Sequence, residues 1–202
     1  MIFLLTGCLL TDAGEIHITC EDAGACGSNR DVEPPNYAGG YNTKRCEEAP
    51  TATGYAIGDI VPDLVLRDHY DEELQLSDFC ANTVALVACT LWSSCAEETL
   101  EEWYSRYRDE GLTIITMMSE NEDGDIPTAT ELQGWASANG ITHPVVADPN
   151  RQILSDFLAG SESAGDSISL PNLQLLTPGM VVALSNNDGQ NFSEAELVEY
   201  LD

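Results

Sequence analysis

Apolar and polar positions divide the chain into two textures. Up to about residue 56, apolar side chains follow neither a helical nor a strand period. From Gly58 onward the periods are clear. Ile60 to Leu66 and Leu74 to Leu76 are short apolar runs around the polar turn Asp68 to Glu73, which predicts a β-hairpin. Thr83 to Leu91 is continuously apolar and rich in β-formers, as a strand buried on both faces should be. A helix is expected over Ser94 to Arg108. There Leu100, Trp103, Tyr104 and Tyr107 form one apolar stripe at helical spacing. Its first turns carry Glu97, Glu98, Glu101 and Glu102 and its last turn Arg106 and Arg108, which complements the helix dipole.

The alternation continues. Leu112 to Met118 reads as a second buried strand. Thr128 and Glu131 form a capping box for a helix that Gly140 stops. Ile141 to Ala147 predicts a strand and Arg151 to Leu158 a helix. Leu173 to Leu176 and Met180 to Leu184 flank Thr177-Pro178-Gly179 as a hairpin. Ser193 and Glu196 form another capping box, stapled by Phe192 and Leu197, and open the last helix. Strands alternating with helices imply an α/β fold, with a central, mostly parallel sheet flanked by helices and antiparallel strands added by the closing hairpin.

The chain has 202 residues, of which 35 are acidic and 7 basic, for a formal charge of −28. Such a charge repels nucleic acid and anionic membrane surfaces, so neither is expected as a partner. A hydrophobic share of 43% supplies a real core and excludes a wholly disordered acidic chain. Seven cysteines suggest an oxidising compartment.

The first ten residues, MIFLLTGCLL, support that compartment. Leu5-Thr6-Gly7-Cys8 resembles a bacterial lipobox, which makes 1–8 an expected lipoprotein signal with Cys8 as the lipidation site. No Lys or Arg precedes the apolar run, and the run is short for an export signal. A start codon placed too late would account for both. Residues 9–56 then read as an irregular tether carrying Cys20, Cys26 and Cys46. Zinc would need four Cys or His ligands at tight spacing. The nearest cysteine pair is separated by five residues with only His17 close by, so no metal is expected. Glu120 to Asp125 fails as a calcium loop: with Gly124 as the sixth position, Ser119 stands first and Thr130 twelfth.

The junction between the first buried strand and its helix is where chemistry is expected. If Ser94 caps the helix and Glu97 closes the box, Cys95 takes the first helical position. The helix end favours a thiolate there, and the glutamates behind it oppose one.

From Ile57 onward the chain resembles thioredoxin-fold redox proteins of the TlpA/ResA type. Gly58-Asp59-Ile60-Val61-Pro62-Asp63-Leu64 with Leu76-Ser77-Asp78-Phe79 is similar to that family's opening hairpin. Asn139 to Asp148 resembles its later helix–strand segment. Leu170-Pro171-Asn172 before the closing hairpin resembles its cis-proline loop. The resemblance implies a thioredoxin-like domain over 57–202 with an N-terminal β-hairpin extension and no cofactor. It also implies exchange with protein thiols or disulfides of exported proteins, a cell-envelope or secreted location in a bacterium, and a substrate groove at Trp92 and Pro171.

One departure dominates. That family ends its strand in Trp-Cys-x-x-Cys, whereas this chain reads Cys89-Thr90-Leu91-Trp92-Ser93-Ser94-Cys95. With Cys95 as the second cysteine, Trp92 stands where the attacking cysteine should be. Dithiol exchange needs one thiolate to attack and another to resolve. Cys95 could pair with Cys89 or with Cys80, or act alone. Cys89 otherwise reads as a small apolar filler of the strand, and Cys80 as a partner for Cys46 or another N-terminal cysteine. A binding module that keeps the groove without turnover is the alternative. A peroxiredoxin-type peroxidase ranks third. The motif Pro-x-x-x-Thr-x-x-Cys would need Thr where Trp92 stands and Pro near Ala88, and no arginine lies just before Pro171.

Overall fold

The computed structural model describes residues 8–10, 18–20, 35–160, 169–186 and 193–201, the first two stretches by their backbone alone. The chain divides into two compact units, Met1–Glu33 and Pro34–Asp202. In the first, β1 (Cys8–Leu10) and β2 (Ile18–Cys20) pair antiparallel with Cys8 opposite Cys20. Strands of three residues are too short to register as a period, which is why the sequence shows none there. The expected lipidation of Cys8 and the staple residue Phe192 lie outside the described side chains.

The second unit opens with the expected hairpin, β3 (Val65–Arg67) against β4 (Glu73–Gln75). β5 (Thr83–Cys89) follows and is buried at every position. The chain continues through α1 (Glu97–Tyr107), β6 (Leu112–Met118), α2 (Ala129–Asn139), β7 (Val145–Ala147) and α3 (Gln152–Gly160). It closes with β8 (Asn172–Thr177), β9 (Val181–Asn186) and α4 (Glu194–Val198). The sheet order is β7-β6-β5-β8-β9, with β5, β6 and β7 parallel and β8 and β9 antiparallel.

Alternation along β5 builds two cores. Val84, Leu86 and Ala88 face one cluster, with Phe79 and with Ile153, Leu154 and Phe157 of α3. Ala85, Val87 and Cys89 face the other, with Leu100, Trp103 and Tyr104 of α1 and Leu132 of α2. Both predicted capping boxes form: Thr128 accepts from the Glu131 N–H, and Ser193 accepts from the Glu196 N–H. Buried Asp148 accepts from the N–H groups of Ile153 and Leu154 at 2.9 and 3.1 Å and holds the start of α3.

Residues 35–56, read from sequence as part of a tether, contain no helix or strand but are packed. Tyr37 and Tyr41 are buried. Tyr37 donates its hydroxyl proton to Asp78, which Arg45 also pairs, and Tyr41 donates to Asp68 at 2.9 Å. Ala81 donates to the Lys44 carbonyl, and Cys46 is bonded to Cys80 with Cα atoms 5.3 Å apart. Two aromatics with partners 27 and 41 residues away leave no local period to read.

Candidate functional site

The site lies where β5 ends. Cys89 closes the strand, and its carbonyl accepts from the backbone and side chain of Ser119, at 2.9 and 3.1 Å. A turn over residues 90–96 then leads to α1. Thr90 and Ser93 tie it together by a hydroxyl–hydroxyl bond of 2.8 Å, and the Leu91 N–H donates to the Glu120 carbonyl at 3.0 Å. At the end of this turn Cys95 folds back under the strand. Cys89 and Cys95 are joined in a disulfide with Cα atoms 5.9 Å apart, and both side chains are fully buried.

Three expectations are revised by this geometry. The reading of Cys89 as a filler gives way, because its sulfur is committed to Cys95. Cys80 is excluded as the partner of Cys95, because it is bonded to Cys46 in the opposite core. The third revision concerns the helix start. The N-cap of α1 is Ala96, in the left-handed region at φ 58°, with no side-chain cap. Ser94 therefore does not cap, and Cys95 precedes the helix instead of opening it. Its N–H donates to the Glu97 carboxylate at 3.1 Å. Reaching Cys89 holds Cys95 against the strand end, and the left-handed residue after it redirects the chain onto the helix. The helix end thus gives Cys95 less direct support than a first helical position would.

The two proposed groove residues also have defined places. Trp92 stands on the turn and is 59% exposed. The Leu170–Pro171 peptide is cis. The β5–β8 ladder ends at Ala88 opposite Asn172, so Pro171 occupies the next rung, facing Cys89. Proline lacks the N–H to continue a ladder, which leaves the strand end open beside the disulfide. A separate cavity of about 370 Å³, lined by Leu64, Leu66, Ala147 and Ile153, contains no cysteine.

Sequence reasoning missed a polar pair under the same helix. His143 is fully buried between Thr116 and Glu101, with both ring nitrogens 2.9 Å from their partners. Ionised Glu101 can only accept, so Nδ1 carries the proton and Nε2 accepts from the Thr116 hydroxyl. Burial pushes the His143 pKa down, and Glu101 offsets part of that shift. Burial works to raise the Glu101 pKa, but hydrogen bonds from His143 and Thr142 outweigh it and leave the carboxyl below its ordinary value. His69 is also buried, and burial lowers its pKa, partly offset by Asp68. Its Nδ1 accepts from the Val145 N–H at 3.2 Å. No sequence signal linked Glu101 to His143, because 42 residues separate them.

Both histidines are therefore neutral in the folded state. Their folded pKa values lie below the unfolded value of about 6.5. Stability is complete above that value and falls as pH drops through it, because the unfolded chain takes up protons that the folded chain refuses. Between pH 7.5 and 5.5 each histidine contributes up to about 1.4 kcal/mol of loss. Urea midpoints at the two pH values measure this. A flat midpoint would show that these imidazoles titrate normally.

Residues 57–185 match the AhpC/TSA family. Over 111 residues the chain is 29% identical to the thiol-disulfide oxidoreductase ResA of Geobacillus kaustophilus. That match covers 54% of this chain and spans 60% of the length of that curated relative. A secreted thiol-disulfide isomerase from Corynebacterium glutamicum superposes with a TM-score of 0.58 at 17% identity, over 76% of this chain and 90% of the other. The thioredoxin domain of a thiol-disulfide oxidoreductase from Bacteroides vulgatus superposes with a TM-score of 0.54 at 12% identity, over 75% of this chain and all of the other. At these identities the superpositions show the fold alone, which is thioredoxin-like.

Proposed function

The chain belongs to the AhpC/TSA family, and from that premise we propose that it is an exported thiol–disulfide redox protein in which Cys95 exchanges with partner cysteines and Cys89 resolves the exchange. The observation that carries this reading is the Cys89–Cys95 disulfide beside cis-Pro171. It supplies a second cysteine where the familiar motif has Trp92. The names of the ResA relative and of the secreted isomerase agree with this chemistry and with export. The reading takes 57–202 as the redox domain, 9–56 as the segment joining it to the N-terminus, and Cys8 as a lipid anchor site facing the periplasm.

The steps balance as a two-electron exchange. A partner thiolate attacks Cys95 Sγ, the Cys89–Cys95 bond breaks, and Cys89 leaves as a thiolate that takes a proton from water. The partner's second thiolate then attacks its own sulfur in the mixed disulfide and releases Cys95. The partner gains a disulfide, and Cys89 and Cys95 end as two thiols. The reverse sequence reduces a partner disulfide. Attack on Cys95 requires the 90–96 turn to open, since neither sulfur is exposed.

That burial favours a second reading, a binding module that keeps the groove and has lost turnover. Equilibration in glutathione buffers followed by alkylation and mass mapping separates the two. A redox protein shows Cys89 and Cys95 alternating between bonded and alkylated forms with a measurable midpoint. A pair that stays bonded in the folded protein across the whole range would leave only the binding reading. Peroxidase chemistry lacks support, because Trp92 and Ala88 stand where the peroxide-polarising motif needs threonine and proline.

A further inference from the structure

The C-terminal ends of the parallel strands β5, β6 and β7 share one edge of the sheet, and the disulfide lies there. The segments leaving that edge are 90–96, 119–128 and 148–151. They are tied to one another by the Leu91–Glu120 backbone bond and by the Arg151–Glu120 ion pair. Two large apolar side chains stand exposed on them, Trp92 at 59% and Ile126 at 44%. Around these lie Glu98, Glu122, Asp123 and Asp125, all exposed, with Glu97 half-buried behind.

The cations are elsewhere. Among the described residues, Arg151 is the cation at this edge, and it is paired with Glu120. Arg106 and Arg108 lie toward the far end of α1, and the Lys44 backbone binds Ala81 just before β5 begins, with Arg45 on Asp78. Arg67 sits on the hairpin, paired with Asp71. The charge is thus unevenly distributed, and the edge that holds the disulfide is of one sign.

A thiolate is itself an anion. Approaching a disulfide ringed by carboxylates, it is repelled unless its own chain brings positive charge. Lysine or arginine beside a cysteine serves twice: it cancels the repulsion and raises the thiolate fraction. Resting on the redox reading above, we propose that the edge formed by Trp92, Ile126 and the acidic residues around the Cys89–Cys95 disulfide docks a cationic polypeptide segment that carries the partner cysteines next to an apolar residue.

The test uses the full chain and three synthetic peptides. Each contains two cysteines beside a leucine, flanked by three lysines, three serines or three glutamates. Reduction of Cys89–Cys95 is followed by acid quench, alkylation and mass. At low ionic strength the lysine peptide should react at least about tenfold faster than the serine peptide and the glutamate peptide slower still, within the range that electrostatic steering allows. At about 1 M salt, where the screening length is about 3 Å, the three rates should converge. Glu122→Lys with Asp125→Lys should remove most of the lysine advantage. Asp109→Lys with Glu110→Lys, at the far end of the molecule, changes the net charge equally and should leave the advantage in place. Equal rates for the three peptides, or equal effects of the two double variants, would overturn the docking surface and leave the redox reading standing. Resistance of the disulfide to every peptide and to uncharged dithiothreitol would overturn the redox reading, and the docking surface with it.

Discussion

Replacing Cys89 with alanine is expected to trap Cys95 in a mixed disulfide. In the reduced wild-type protein, Cys95 attacks a partner disulfide and Cys89, whose Cα lies 5.9 Å away in the bonded form, releases the reduced partner. A thiol held this close acts at an effective concentration of order molar or higher, so an external thiol at millimolar level resolves the adduct roughly 10³-fold more slowly. The adduct should appear by mass on Cys95 when Cys89→Ala meets a disulfide peptide. Cys95→Ala should give no adduct and no turnover, because Cys89 lies on the buried strand behind the turn. Unimpaired turnover in Cys89→Ala would remove Cys89 from the mechanism. Failure of Cys95 to form any adduct would return the protein to the binding reading.

Removing the other disulfide should have the larger effect on folding. Cys46 and Cys80 are 34 residues apart, and closing a loop of that length restrains the unfolded chain by about 4 kcal/mol on the chain-entropy account. Cys46→Ala with Cys80→Ala should therefore lower Tm by roughly 8–16 °C for a domain of this size. The six-residue separation of Cys89 and Cys95 gives only about 2 kcal/mol on the same account. Thermal unfolding of both double-alanine variants tests the order. Loss of the Cys46–Cys80 bond should also loosen the segment that carries Tyr37 and Tyr41, seen as faster hydrogen exchange at Ala81, whose N–H is bonded to Lys44. A change in Tm of less than about 2 °C would mean that the tyrosine–aspartate bonds hold the segment without the disulfide.

The elements legible in the sequence are those whose signals are local. Thr128 with Glu131 and Ser193 with Glu196 place helix starts because each cap is completed within three residues. The run Thr83 to Cys89 declares itself buried because both faces of β5 meet a core. The helix expected from Ser94 begins at Glu97, and the misplaced start has a distant cause in the bond between Cys95 and Cys89. Buried Tyr37 and Tyr41 escaped for a similar reason, since their partners Asp78 and Asp68 belong to another part of the chain.

The amino-acid order thus suffices for the alternation of strands and helices, the redox resemblance, the absence of an attacking cysteine at Trp92 and the large negative charge. Each is a property of neighbouring residues or of a sum over the chain. Tertiary structure alone decides which of the six cysteines after Cys8 answers Cys95, that Pro171 comes to rest opposite Cys89, and that the carboxylates of three separate loops crowd one edge of the sheet. Those facts depend on distances between segments far apart in sequence. Periodicity carries no such distances; the packing of β5 between β6 and β8 sets them.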